Sequence, residues 1–209
     1  MRVQLIGFGP FPGARVNPSA SLVKALARRR RPAFAVIERT TYILLTAYAA
    51  VDCGLPTLFA QNPDVVLMFG VAGRRRGLCI ETRARNAVTL LSPDVGGYRP
   101  QRGAIVPGGQ ATLSGKAPLA YLLAAARTSG FPAQFSRDAG RYLCNYAYWR
   151  ALERTGDDGP LVQFVHIPAF RSKARPGQRP ATASFDLLVI AAERLLVALI
   201  AARRRSAGR

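Results

Sequence analysis

Cys144 and His166 are separated by twenty-two residues, and His166 is the only histidine in the chain. Imidazole is the one ordinary side chain that exchanges a proton near neutral pH, so chemistry pairing a thiol with a base must use this residue. The cysteine stands in Tyr142-Leu143-Cys144-Asn145, just after Asp138-Ala139-Gly140, a turn that leads into a helical run. At a helix start, free N–H groups and the positive end of the dipole favour a thiolate over a thiol. His166, in Val162-Gln163-Phe164-Val165-His166-Ile167-Pro168, falls near the end of an apolar strand. There it could take the thiol proton and return it to a departing amine. A histidine on such a strand is also a common hydrogen-bonded core residue, and the residues alone leave both readings open. A carboxylate would orient the ring by accepting its N–H. Among eleven acids Glu81 is the candidate, since it follows the Gly70-Val71-Ala72-Gly73 turn; its alternative is a pairing with Arg83 or Arg85.

Those residues need a frame. Short β-rich runs alternate with alanine- and leucine-rich helical runs, the pattern of an α/β fold. We expect a single-domain α/β/α sandwich with a twisted, mostly parallel central sheet. Strands are predicted at residues 2–7, 34–41, 64–70, 133–136 and 161–167, with 80–88 extended. The continuous apolar run at 64–70 suits a central strand. Helices are predicted from the Asn17-Pro18-Ser19 cap to Arg29, over 46–61 with a break or bend near Gly54 and Pro56, and over 117–128, 140–155 and 184–202. Residues 92–115 hold nine glycines and prolines and read as one long loop. In such sheets sites form outside the carboxyl ends of the strands, where Cys144 and His166 would meet.

With 209 residues, 49% of them hydrophobic, the chain can bury one core, so one domain is expected over 1–209, with a short basic tail from about residue 203. Met1 to Gly7 reads as a strand and not as an export signal. The apolar stretch 185–202 carries Asp186, Glu193 and Arg194, so an amphipathic helix is expected there and no membrane partner. Cys53, Cys79 and Cys144 lack zinc-site spacings, and one histidine completes no cluster; no metal and no disulfide framework are expected. Free thiols fit a reducing cytoplasm. The net charge of +19 raises nucleic acid as a partner. The arginine clusters at 28–31, 74–76 and 203–205 are dispersed and no recognition motif accompanies them, so that reading stays open without being favoured.

Five ordered segments carry a resemblance. Leu5-Ile6-Gly7-Phe8-Gly9-Pro10-Phe11-Pro12-Gly13, continuing to Val16-Asn17-Pro18-Ser19, resembles the G-F-x-P-F-x-G…N-P-S opening of pyroglutamyl peptidase I, also called pyrrolidone-carboxylate peptidase. Pro63-Asp64-Val65-Val66 with Gly70, Ala72 and Gly73 is similar to that family's P-D-V-V…G-x-A-G. Glu81 and Asn86, followed by Pro93-Asp94, match its E-R-x-A-x-N segment and the loop after it. Ala139-Gly140-Arg141-Tyr142-Leu143-Cys144-Asn145 resembles its nucleophile run, and Phe164-Val165-His166-Ile167-Pro168 its F-x-H-I-P run.

The resemblance implies a cysteine peptidase that removes an N-terminal pyroglutamyl residue from peptides without a cofactor. Cys144 would be the nucleophile, His166 the base and acid, and Glu81 the group orienting His166; the family often forms homodimers or homotetramers. Pyroglutamate is a small neutral lactam, so its pocket needs apolar walls and a few hydrogen bonds. Phe8 and Phe11 would flank the ring or simply pack the first turn, and Asn17 would either touch the substrate or cap its helix. Two departures stand out. The family usually has glutamine where this chain has Val71, and arginine where Leu91 precedes Ser92-Pro93-Asp94. A lactam edge left without a partner costs about 1–3 kcal/mol. Arg83, Arg85 or one of Arg74 to Arg76 is a candidate to supply the absent cation. The departures bring in a second reading, a divergent member with weak activity or with another N-blocked substrate, beside a basic nucleic-acid binder that keeps the fold.

Overall fold

Alternating burial along the strands divides the structure into layers. The computed structural model describes residues 1–11, 16–169 and 185–207. In chain order its elements are β1 (Arg2–Phe8), α1 (Pro18–Arg28), β2 (Glu38–Leu44), α2 (Tyr48–Phe59), β3 (Val65–Val71), β4 (Leu78–Glu81), β5 (Ala84–Arg85), β6 (Thr112–Leu113), α3 (Leu119–Arg127), β7 (Ala133–Ser136), α4 (Leu143–Leu152), β8 (Leu161–Ile167) and α5 (Phe185–Ala207). Six strands form one sheet in the order β2-β1-β3-β8-β4-β7. The first four are mutually parallel, β4 runs antiparallel to β8, and β7 runs parallel to β4.

Strand side chains alternate between faces. Val65, Leu67 and Phe69 of β3 join a core with Leu22 and Leu26 of α1, Leu122 of α3 and Leu195 and Leu199 of α5. Val66 and Met68 point the other way, into a core with Val51 and Leu55 of α2 and Ala147 and Trp149 of α4. Val65 through Phe69 are fully buried, as a central strand covered on both faces requires. Each such side chain contributes about 1.5–3 kcal/mol relative to exposure. The sheet is therefore the mostly parallel, helix-covered sheet expected from the sequence.

The differences have local causes. The strand expected at 34–41 is displaced: Pro32–Phe34 form a 3₁₀ turn, with Pro32 where a helix start tolerates it and Phe34 buried. Pairing with β1, from Arg2 opposite Glu38 to Phe8 opposite Leu44, then fixes β2 further along. The extended run 80–88 splits, because β4 belongs to the main sheet while β5 pairs with β6. That pairing also gives the long 92–115 loop a strand at Thr112–Leu113. Helix α2 continues past Gly54 with Pro56 inside it. Helix α5 runs on to Ala207, so Arg203 to Arg205 stand on its last turns and not in a separate tail. Among the described residues, no helix is long and apolar enough to cross a membrane.

Candidate active site

Helix α4 aims its first turn at the sheet. The Asp138 carboxylate accepts the Gly140 N–H at 3.0 Å, and Gly140 takes φ +84°, a conformation glycine adopts without strain. This turn delivers Tyr142 in an extended conformation at the helix N-cap, where its side chain makes no capping bond. The first-turn N–H groups thus face the site without a side-chain acceptor from the cap. Cys144 is the second residue of the helix. Beside it, Asn145 accepts the Arg85 N–H at 2.8 Å and donates to the carbonyls of Arg85 and Ala87 at 2.8 and 2.9 Å, tying α4 to β5.

The sulfur rests on the end of β3. A Cβ placed on Gly70 would lie 2.8 Å from Cys144 Sγ and 2.7 Å from Cζ of Phe164, so only glycine leaves room for both. Gly70 pairs with His166 across the parallel β3–β8 ladder. His166 shares the face of β8 that carries Val162 and Phe164, the face covered by α4. Its ring centroid lies 5.0 Å from that of Phe164.

His166 Nδ1 lies 2.8 Å from Glu81 Oε1, and both side chains are nearly or wholly buried. Glu81 reaches it from the antiparallel neighbour β4, two residues beyond Cys79, which stands opposite His166. Gln163 Nε2 and the Tyr148 hydroxyl donate to the Glu81 backbone carbonyl at 2.8 and 3.2 Å, fixing the strand end. The second carboxylate oxygen, Oε2, is buried without a hydrogen-bond partner among the described residues. A buried carboxylate so sparsely satisfied demands a positive neighbour. Burial alone would push the His166 imidazolium down, but hydrogen bonding and charge from Cys144, and then from Glu81, outweigh it and raise its pKa to about 9. His166 is accordingly protonated at neutral pH. The alternative partners of Glu81 are engaged elsewhere: Arg83 donates to the Arg137 carbonyl at 3.2 Å, and Arg85 lies 3.6 Å from Asp138.

A cavity of about 460 Å³ opens above Cys144 and His166, and Phe8, Phe11, Asn17 and Val71 all line it. Phe8 is also a core residue, with its ring 6.1 Å from Phe164. Asn17 is committed to structure as well. Its Oδ1 accepts from the Ser19 N–H and hydroxyl at 3.1 and 2.8 Å, capping α1, and its Nδ2 donates to the Gly9 carbonyl at 2.9 Å. Thr46 donates to the same carbonyl at 3.1 Å, so two side chains anchor the backbone at Gly9. Leu91 is 85% exposed and does not line the cavity. Of the arginines considered as substitutes for a cation there, Arg74 and Arg75 line it; Arg76, Arg83 and Arg85 do not.

The profile of the pyroglutamyl peptidase family matches residues 1–204. The chain belongs to the pyroglutamyl peptidase family. A pyrrolidone-carboxylate peptidase of Gloeobacter violaceus is 33% identical over 189 residues, covering 90% of each chain. The crystal structure of pyrrolidone carboxyl peptidase from Thermus thermophilus superposes with a TM-score of 0.80 at 30% identity, covering 94% of this chain and 98% of that one. Pyroglutamyl peptidase I of Bacillus amyloliquefaciens gives 0.82 at 26% identity, covering 96% and 97%. The range matched by the family profile includes the elements that carry Cys144, His166 and Glu81.

Residues with no chemistry of their own escaped the sequence reading. Gly70 looked like the end of a strand, and nothing in its neighbours signals a sulfur packed on it. Only the folded chain brings Gln163 and Tyr148 to the Glu81 carbonyl. Gly70 and Asn145 do carry a signal of another kind, their places in the segments that resemble the family.

Proposed function

We propose that this protein is a cysteine omega-peptidase that hydrolyses the bond after an N-terminal pyroglutamyl residue, with Cys144, His166 and Glu81 as its reacting unit. The arrangement of a buried, carboxylate-backed imidazolium beside a cysteine at an uncapped helix start carries this reading. Cys144 sulfur attacks the pyroglutamyl carbonyl, and the oxygen that becomes negative is met by the Cys144 N–H at the positive end of α4. His166 gives its proton to the departing amine, the shortened peptide leaves, and a thioester to Cys144 remains. Neutral His166 then takes a proton from water, which attacks the thioester and releases pyroglutamate. Throughout, Glu81 fixes the ring and stabilises its charged form.

The cavity supports the substrate class. Phe8, Phe11 and Val71 offer a largely apolar lining to a neutral lactam. The acid that lines it, Asp138, is already bonded to Gly140 and lies near Arg85, which leaves no dedicated partner for a free α-ammonium. The basic clusters do not favour nucleic acid over this reading. Arg29 and Arg31 both pair with buried Glu193; burial pushes that carboxyl up, but the two arginines outweigh it and hold it below the usual range. Arg203 lies 3.5 Å from Asp64. A nucleophilic thiol supports a reducing, cytoplasmic setting, and family membership supports a homodimer or homotetramer, which sedimentation would test. The segment 170–181, whose basic residues, prolines and glycines read in the sequence either as a cover for the site or as a connector, lies outside the described residues.

The test is hydrolysis of matched fluorogenic amides. The pyroglutamyl amide should be cleaved, with pyroglutamate released, while prolyl and glutaminyl amides should remain uncleaved. Equal cleavage of the three, or cleavage of the prolyl amide alone, would overturn the assignment.

A further inference from the structure

The charged groups lining the cavity are unevenly matched. Among the described residues, besides His166, they are Arg74, Arg75 and Asp138. Asp138 spends one oxygen on the Gly140 N–H and lies 3.6 Å from Arg85, so its charge is already answered. The half-buried Arg75 donates to the Ser136 hydroxyl at 3.3 Å, which fixes its guanidinium without neutralising it. Arg74 is exposed at the tip of the turn after β3 and has no ion-pair or hydrogen-bond partner among the described residues. That turn follows directly on Gly70 and Val71, and its arginines line the same cavity as Cys144.

The consequence rests on the proposed activity. If the neutral pyroglutamyl ring fills the apolar end, the leaving peptide must pass out of the same cavity, beside the turn carrying these arginines. We propose that Arg74, supported by Arg75, is a specificity residue that favours substrates carrying a carboxylate on the residue directly after pyroglutamate. The carboxylate can be an acidic side chain or, in a dipeptide, the free C-terminus. Guanidinium recognises either through paired N–H donors. Because the site is open to water, the gain is of the size of an exposed ion pair and is screened by salt.

The experiment compares kcat/KM for four short substrates at low ionic strength: pyroglutamyl-glutamate amide, pyroglutamyl-glutamine amide, pyroglutamyl-alanine with a free carboxylate, and pyroglutamyl-alanine amide. Wild-type protein should favour the glutamate amide over the glutamine amide by roughly three- to fivefold, as an exposed pair allows. The ratio of free alanine to its amide reports the C-terminal carboxylate separately, and a preference in either pair supports the proposal. Arg74→Ala should bring the favoured ratio close to one, Arg74→Glu should invert it, and added salt should shrink it in wild type. Ratios near one in wild type, or a preference unchanged in Arg74→Glu, would overturn this inference while leaving the peptidase assignment standing. No cleavage of any of the four by wild type would overturn the peptidase assignment and this inference with it.

Discussion

The floor of the cavity and its mouth are built on opposite terms. On the floor, Cys144, His166 and Glu81 come from a helix start and two neighbouring strands, and the His166 and Glu81 side chains are almost wholly shielded from water. Their placement is over-determined: Glu81 is held through its carbonyl by Gln163 and Tyr148, α4 is tied down by Asn145, and Gly70 leaves one seat for the sulfur. At the mouth, the turn carrying Arg74 is exposed and sparsely bonded, and outside the cavity lining altogether Leu91 points into solvent. On the proposed mechanism, reactivity rests on a dry, many-sided arrangement, whereas selectivity falls to loops that can change without disturbing it.

Substitutions on the floor should therefore cost far more than substitutions at the mouth. Short of removing the sulfur of Cys144 itself, the largest effect is expected from Glu81→Gln, which removes the charge behind His166 and should lower kcat by about a hundredfold or more. It should also change the pH profile. Since His166 is held protonated up to about 9, the wild-type kcat/KM should fall as pH rises through that value, because the proton needed by the leaving amine is lost. Without Glu81 that alkaline limb should move to lower pH; an unmoved limb would contradict the assigned pairing. Gly70→Ala comes next, since its methyl would collide with Sγ and with Phe164. Displacing the sulfur by about 1 Å should cost on the order of a hundredfold in rate, with about 1–3 kcal/mol lost in denaturant unfolding.

Much of the floor was legible in the sequence because its chemistry is rare in this composition. One histidine and one cysteine at a turn-to-helix boundary restrict the pairing, and the strands at 133–136 and 161–167 appear with the boundaries their apolar runs suggest. Residue types and spacing leave the choice between Glu81–His166 and an arginine partner open, because it depends on β4 lying antiparallel to β8; only the family resemblance points to His166. The displaced strand at Glu38–Leu44 shows the same limit: pairing with β1 decided its register where propensity alone did not. For the mouth, three consecutive arginines look alike in sequence, and only the turn determines that Arg74 and Arg75 face the cavity while Arg76 does not.

Smaller effects would sharpen the contrast. Val71→Gln adds an amide to the cavity wall and should strengthen lactam binding by about 1 kcal/mol, read as a several-fold lower KM for a pyroglutamyl amide. Leu91→Arg should change kcat/KM by less than about twofold, because that side chain stands in water away from the cavity. A tenfold gain from Leu91→Arg would mean that the loop reaches the reacting centre and that the division between floor and mouth is drawn in the wrong place.

The most direct measurement is the hydrolysis of a pyroglutamyl fluorogenic amide by the wild-type protein beside Cys144→Ala, with circular dichroism showing both preparations folded. The arrangement around Cys144 requires turnover in wild type and none above background in Cys144→Ala. Equal rates in the two preparations, or no turnover in either at high protein concentration, would contradict it.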